Sequence, residues 1–539
     1  MLAAPDLRNA SVTAAVTGAP RMADHGLAQL AANLPQCRLH GGDLRISAVV
    51  SHTDQVRPGA LFACLPGANQ DGHRFAAAAV ERGAAALLVE HWLPHLGGVP
   101  QLEVPDARIA LAHLARALHG HPDRHLLVLA ITGTNGKTTT AHMLHAAFGA
   151  ARRPLGLLGT VAYRLGRREL EAPLTTPDPL ALHAMLAEMV AAGLHGVSME
   201  ASSHALAQHR LEGLEVDTAV FTNLTRDHLD YHGTPMAYLA AKRRLFEPRS
   251  GRKAFPALAV ICTDGAAGRL LAREARAHRQ VVTCAFGGVW TAGRPSAPDV
   301  SGRYRQDGAR GILSVRGAWG RGEVVLPLPG RHNAQNALAA LTAALANGVP
   351  FDTAAQAIRT MDPVPGRFET VDGGQGFTVV VDFAHNPDGL RWSLLAARRR
   401  CAGTLRLVFG CKGGDGDDVK RRRMGTIAGR LADVVYLTTD DPYGEDPAVI
   451  ASRVQSGLVG ARAVTCPILD RAEAIRHAIA DAGPGDLVLV AGRGHERRQP
   501  AGGRLLPLDD RQICRAALGE RGGRSRCAAP SAASPGGAG

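Results

Sequence analysis

Lysine is nearly absent from this chain of 539 residues. It occurs five times, at 137, 242, 253, 412 and 420, and the other 56 of the 61 basic residues are arginine. A chain with this bias keeps an amine where a guanidinium cannot serve, which marks Lys137 and Lys242 as candidates for chemistry. The nine cysteines are odd in number and scattered, with no Cys-x-x-Cys pair, which argues against a disulfide framework or a zinc site. No apolar run reaches the roughly 20 residues that span a bilayer. Met1 to Pro20 also lacks the basic start and apolar core of a secretory leader, so the expected compartment is the cytoplasm. The net charge of +13 is spread along the chain, with short runs only at Arg398–Arg400 and Lys420–Arg423. That distribution does not make a nucleic-acid face, and anionic small substrates account for the local positive charge. No membrane or nucleic-acid partner is expected.

The most informative stretch present is Ala130-Ile-Thr-Gly-Thr-Asn-Gly-Lys-Thr-Thr139. An apolar run, Leu126 to Ile131, reads as a buried strand before it, and Thr140 to Phe148 reads as an amphipathic helix after it. A strand, a Gly-containing turn and a helix N-terminus make a phosphate cradle. Gly133 and Gly136 let the backbone approach the phosphates, with Thr134, Asn135 and Thr139 on the same loop. Lys137 reaches the β- and γ-phosphates, and the Thr138 hydroxyl holds Mg²⁺. The general P-loop has a Gly six residues before the Lys, and Ile131 stands there instead. An unrelated P-loop ATPase or kinase remains open on this motif alone.

The length suggests about three domains. The expected class is α/β, with a smaller N-terminal α/β domain over 26–110. A central P-loop domain with a mainly parallel sheet follows over 111–360, then a C-terminal doubly wound, Rossmann-like domain over 361–520. Residues 1–25 read as a flexible start and 521–539 as a disordered tail. Gly287 to Gly322 reads as loops and an antiparallel excursion.

Further motifs follow in order. Val197-Ser-Met-Glu-Ala-Ser-Ser-His204 ends a strand with an acid, and a carboxylate at such a place can hold Mg²⁺, which makes Glu200 a candidate. Together with Glu200-Ala-Ser-Ser-His-Ala-Leu-Ala-Gln-His-Arg210 and Thr222-Asn-Leu-Thr-Arg-Asp-His-Leu-Asp-Tyr-His-Gly233, the loop resembles the Mur ligase family, specifically its MurE type. That resemblance implies an ATP-dependent amide ligase joining a carboxylate to an amine through an acyl phosphate. The substrate would be UDP-MurNAc-L-Ala-D-Glu, extended by a diamino acid in peptidoglycan precursor synthesis, by a monomer using two Mg²⁺ ions. It implies that His228 supports the second Mg²⁺ and that Lys242 is carbamylated as a further ligand. Thr175, Thr176, Ser203, Gln208 and Arg210 become contacts to the UDP-linked substrate. Asn333, Asn336, Arg367, Asp382 and His385 become nucleotide contacts. Gly492 and Glu496 hold the amino group of the incoming amino acid. The matches run in order from about Ser51 to Asp510.

The chain departs from the family pattern in places. His52-Thr-Asp-Gln-Val56 replaces the usual Asp-Ser-Arg-x-Val, leaving Thr53 as the uridine contact. Cys262 replaces an Asn, and Arg493 replaces the Lys before Gly-His-Glu. Asp440-Asp-Pro-Tyr443 replaces the Asp-Asn-Pro-Arg whose Arg clamps the distal carboxylate of meso-diaminopimelate. Tyr443 carries no charge, and Asp441 is suited to attract a distal ammonium, as in lysine. The local motif favours lysine and the composition favours diaminopimelate, so both stand. A folylpolyglutamate-synthetase-like or secondary-metabolite ligase, and a non-catalytic binding protein, are the alternatives.

Overall fold

The computed structural model describes residues 25–526 apart from 68–69, 248–255, 287–296, 308–309 and 415. The expected flexible start and most of the expected tail lie outside the described residues. The last helix, Asp510–Arg526, continues past the expected tail boundary at 521.

Three sheets order the chain. The first has five strands, running Arg38–His40, Gln101–Glu103, Ala84–Val89, Ala60–Ala63 and Ala48–Val50, parallel except at the Arg38–His40 edge. The helix Ala107–Leu118 follows, capped by Asp106, and its Leu111, Leu114 and Leu118 belong to the core of that first sheet. It therefore runs across residue 110, the expected junction.

The central sheet has eleven strands. A parallel run, Leu155–Leu158, Gly196–Glu200, Leu127–Thr132, Thr218–Phe221, Leu258–Cys262, Gln280–Phe286 and Val300–Asp307, forms its middle. Antiparallel strands finish both edges, among them Arg310–Gly317 and Gly320–Leu326, where an antiparallel excursion is expected. Leu127–Thr132 shows why its sequence is a continuous apolar run. Val128 and Ala130 enter the core on one face, and Leu129 and Ile131 enter the core on the other, so helices cover both sides. The next strand in sequence, Leu155–Leu158, lies to one side of it, and Thr218–Phe221 lies to the other. That makes its C-terminal end the switch point where ligands of open α/β sheets bind. The helix after the loop, Lys137–Ala150, is buried on most of its sides. The expected amphipathic pattern fails because Ala334–Ile358 packs over the face left for solvent.

The third sheet orders Glu369–Val371, Thr378–Asp382, Leu487–Ala491, Leu405–Phe409, Val434–Leu437 and Val464–Pro467, again parallel except at its first edge. Val379 and Val381 face one core and Val380 the other. No helix among the described residues is long and apolar enough to cross a membrane.

A buried ion triad fixes the first domain to the second. Arg116, on the connecting helix, donates Nε to Asp123 at 2.9 Å and Nη2 to Glu215 at 2.7 Å. The Glu215 amide donates to Asp123 at 2.9 Å, so the charges are paired and bonded on all sides. Breaking such a set strands a buried charge, at a cost of about 3–5 kcal/mol. Arg116→Ala is expected to lose about that much in urea unfolding; a loss below about 1 kcal/mol contradicts this reading.

Candidate active site

The phosphate loop is shaped by two glycines that no other residue can replace. Gly136 has φ 90°, and a Cβ there would lie 2.0 Å from Asn336 Oδ1. A Cβ on Gly133 would lie 1.9 Å from Thr222 Oγ1. Gly136 ends the loop as the N-cap of Lys137–Ala150 with no side-chain cap, so the helix N-terminus is presented to an anion. Lys137 Nζ folds back onto the loop and donates to the carbonyls of Gly133 and Thr134, each at 3.0 Å. Burial lowers its pKa. Thr139 is buried within the first turn of the helix.

Around the loop stand the candidate metal donors. Thr138 Oγ1 accepts from Arg367 Nη2 at 2.8 Å. Glu200, 1% exposed, ends its strand beside the loop; it accepts from the Thr160 amide at 2.7 Å and from the Thr160 hydroxyl at 3.1 Å. His228 sits at φ 52° and abuts Asp227, Nε2 to Oδ2 at 3.8 Å. Desolvation lowers its pKa, although the side chain keeps 41% exposure, so at neutral pH the ring offers a lone pair. Burial works to raise the pKa of Asp227, but the bond from His385, with Lys420 also nearby, wins and holds it well below the carboxylate range. Lys242 is 0% exposed; its Nζ donates to Gly133 O at 2.8 Å and lies 4.3 Å from the Tyr238 ring centroid. Burial first, then the neighbouring Lys137, drives its pKa far below that of an ordinary amine. Hydroxyl, carboxylate and neutral imidazole are donors that suit a hard divalent ion. The free amine of Lys242 would join them only as an oxygen donor.

The third domain reaches over the loop. Asn386 Nδ2 donates to Asn135 Oδ1 and to Asp227 Oδ2, each at 3.0 Å, and Asn135 Nδ2 donates to Asp388 at 3.2 Å. His495 Nε2 donates to Thr160 O at 3.1 Å. Asp382 accepts from the Phe368 amide at 2.7 Å and from the Ser393 hydroxyl at 2.5 Å, which holds the turn that carries Arg367. His385 donates Nδ1–H to Phe383 O at 2.9 Å. Asn333 and Asn336 line the cavity from Arg331–Ala346.

One cavity of about 2320 Å³ joins these groups. Thr134 to Thr139, Glu200, His228, Lys242, Asn333, Asn336, Arg367, Asp382 and His385 line it, as do Thr175, Ser203, Gln208, Arg210, Tyr443 and Glu496. Arg210 donates two bonds to Gln208 Oε1, at 2.7 and 3.1 Å, which fixes both side chains on the wall. Six expected contacts do not line it, Gly133 and Asp441 among them. Thr176 is buried and donates to Glu200 O at 2.7 Å, so it holds the strand end in place. Thr53 lies in a turn of the first domain outside the cavity, its carbonyl taken by Arg82 at 2.8 Å. Asp440 is buried behind Gly492, whose φ of 119° and close approach to Asp440 demand a glycine, and neither lines the cavity.

Asp441 overturns its expected role. It is 0% exposed, paired directly with Arg493, itself 0% exposed, and lies 3.1 Å from Lys412 Nζ. Its charge is already neutralised inside the protein, so it is not free to attract a distal ammonium. Two departures from the family pattern, Asp441 and Arg493, are thus partners of each other. Lys412 also binds Glu496 Oε1 at 3.0 Å. Lys412 carried the same scarcity signal as Lys137 and Lys242, and Asp227 lay inside a quoted motif; both were missed. Asn386 and Asp388 lie inside the motif Asp382-Phe-Ala-His-Asn-Pro-Asp388 and were passed over, whereas Thr160 carried no sequence signal of its own.

This geometry is that of a nucleotide-dependent ligase fold, and comparison with known proteins agrees. Residues 45–119 match the Mur ligase family, catalytic domain; 131–344 match the Mur ligase middle domain; and 366–494 match the Mur ligase, glutamate ligase domain. A UDP-N-acetylmuramoyl-L-alanyl-D-glutamate–2,6-diaminopimelate ligase of Geobacillus thermodenitrificans is 41% identical over 92% of this chain and 99% of its own. The ligase of the same name from Geobacillus kaustophilus is 41% identical over 90% of this chain and 97% of its own. A solved structure of a ligase of that name superposes with a TM-score of 0.61 at 30% identity, covering 89% of this chain and 96% of that one. The chain belongs to the Mur ligase family.

Three histidines away from the metal donors carry a pH signature. Burial lowers His142 to about 3 and His332 and His495 to about 4, against an ordinary 6.5. Between those values the unfolded chain binds protons that the folded chain does not, so stability is full above about pH 6.5 and falls as pH drops towards 4. The urea midpoint is expected to be lower at pH 5.5 than at pH 7.5. An equal or higher midpoint contradicts this account of the buried rings.

Proposed function

We infer that the chain is an ATP-dependent amide ligase that joins a diamino acid to the D-Glu γ-carboxylate of UDP-MurNAc-L-Ala-D-Glu, in peptidoglycan precursor synthesis. The observation that carries this is the single cavity lined by the phosphate loop, the Thr175–Gln208–Arg210 wall and the Lys412–Tyr443–Glu496 wall. Three reactants, a nucleotide, a carboxylate and an amine, then meet in one space. The relatives' names supply the chemical class of the two joined substrates. The match at 45–119 and the near full-length relatives set aside a folylpolyglutamate-type ligase, which does not need the first domain.

The γ-carboxylate of the substrate attacks the γ-phosphorus of ATP in line. A C–O–P bond forms, the bond to the β-phosphate oxygen breaks, and ADP leaves. Lys137 and the loop amides stabilise the charge on the phosphate oxygens. The amine of the incoming amino acid then attacks the acyl carbon, and inorganic phosphate leaves as the amine loses a proton. Asn386 and Asp388 over the loop and His495 on Thr160 close the cavity, which keeps water from the acyl phosphate. Thr138, Glu200, His228 and Lys242, the last as its carbamate, would hold two Mg²⁺ ions. When bound, the ions supply further neutralisation of the phosphates. The buried, deprotonated amine of Lys242 is the form that adds CO₂ to give a carbamate and a proton. We assign the enzyme to the cytoplasm as a monomer.

Phosphate release is expected only when ATP, Mg²⁺, UDP-MurNAc-L-Ala-D-Glu and a diamino acid are all present; silence with meso- and LL-diaminopimelate, lysine and ornithine overturns the ligase reading. Lys137→Ala is expected to abolish turnover, and near-normal activity in that variant defeats the assignment of the loop. Lys242→Ala is expected to lose most activity and to recover part of it with short carboxylates such as acetate. Absence of recovery removes the support for a carbamate.

A further inference from the structure

The family's clamp for a distal carboxylate is an arginine at the position of Tyr443, and this chain has no charge there. The structure shows where charge remains at that end of the cavity. Lys412 is held by Asp441 at 3.1 Å and Glu496 at 3.0 Å. Arg493 is buried against Asp441. Arg421 is bonded by both guanidinium ends to Glu445, each at 2.9 Å. Arg511 is bonded to Asp509 at 2.7 Å. Lys420 on this wall is buried, and the exposed cations on it among the described residues are Arg497 and Arg498.

Arg498 is the better placed of the two. It opens the strand Arg498–Ala501 of a hairpin with Arg504–Pro507. The loop bearing Tyr443 docks on that strand, with the Tyr443 amide donating to Pro500 O at 3.2 Å. The Arg498 carbonyl accepts from Arg493 Nη2 at 2.7 Å, so the buried Asp441–Arg493 pair anchors its backbone. Its guanidinium extends to the opposite wall, where its recorded partner is Glu171 at 3.9 Å, with side chains 59% and 73% exposed. So loose a pair at the cavity's edge gives way to a carboxylate that offers bidentate geometry.

We propose that Arg498 reads the distal carboxylate of the incoming amino acid, taking the part that position 443 has given up. The substitutions at 441, 443 and 493 then form one rearrangement. Arg493 binds Asp441 and fixes the start of the hairpin strand, which presents Arg498 to the cavity, while the Tyr443 loop docks at the strand's far end on Pro500 and Ala501. The lysine-like alternative loses its basis, because Asp441 is consumed by Arg493 and Lys412. The amino acid selected is one that carries a carboxylate at its far end, of the diaminopimelate type. This rests on the ligase reading above.

The test is steady-state kinetics of the full chain with meso-diaminopimelate and with lysine, for wild type, Arg498→Ala, Arg498→Lys and Arg497→Ala. Wild type is expected to prefer the diaminopimelate. Arg498→Ala is expected to raise KM for it by about tenfold or more, the scale of a lost charge-assisted bond, and to leave kinetics with lysine unchanged. Arg498→Lys should recover part of the loss. Arg497→Ala should behave as wild type. A wild-type preference for lysine, an equal effect of Arg498→Ala on both amino acids, or the selective loss appearing in Arg497→Ala instead overturns the proposal while leaving the ligase reading intact. Wild type silent with both amino acids overturns the proposal, and silence extending to LL-diaminopimelate and ornithine overturns the ligase reading with it.

Discussion

Two amines share one carbonyl oxygen. Lys137 and Lys242 both donate to Gly133 O, at 3.0 and 2.8 Å, the first half-buried and the second fully buried. Two ammonium ions cannot sit that close in a low dielectric without one giving up its proton. Lys137 opens the helix at the phosphate cradle, where positive charge is useful, and Glu200 and Asp227 favour its charged form. Lys242 lies deeper, against the Tyr238 ring, and its pKa is driven far below that of an ordinary amine. The shared carbonyl sets two residues of the same type side by side, and burial lowers the pKa of both, that of Lys242 the further.

The second constraint is closure. The loop is shaped from below by the central sheet, but Asn135 and Thr138 are finished from above by Asn386, Asp388 and Arg367. Asp227 lies under the same junction, between His228 of the second domain and His385 and Asn386 of the third. A site built across a junction is complete only when the domains are together. Chemistry that passes through a water-sensitive acyl phosphate needs that property.

The parts of this site legible in the sequence are those whose chemistry is local. Gly133, Gly136, Lys137 and Thr138 fall within one loop, and the apolar run before them fixes the strand that carries it. Glu200 and His228 were legible because a strand end and a short motif place them beside that loop. Thr53 lies in the first domain, outside the cavity, and the bonds that fix that domain to the second are made by Arg116, Asp123 and Glu215, which lie far apart in sequence. Asp441 was misread for a similar reason. Its partner Arg493 is 52 residues away and noticed only as a departure of its own. A charge in a binding motif says little about recognition until its internal partners are known. The buried strand before the loop was readable from its apolar run, but the burial of Lys137–Ala150 was not, because the elements covering it come some 200 residues later.

The claim on which the account turns is that Lys242 is a neutral amine that takes up CO₂ while Lys137 remains a cation. The direct measurement is a ¹³C nuclear magnetic resonance spectrum of the protein equilibrated with ¹³C-bicarbonate at neutral pH. The account predicts one carbamate resonance, present in wild type and absent in Lys242→Ala. A spectrum with no carbamate, or one whose carbamate survives the loss of Lys242, contradicts it.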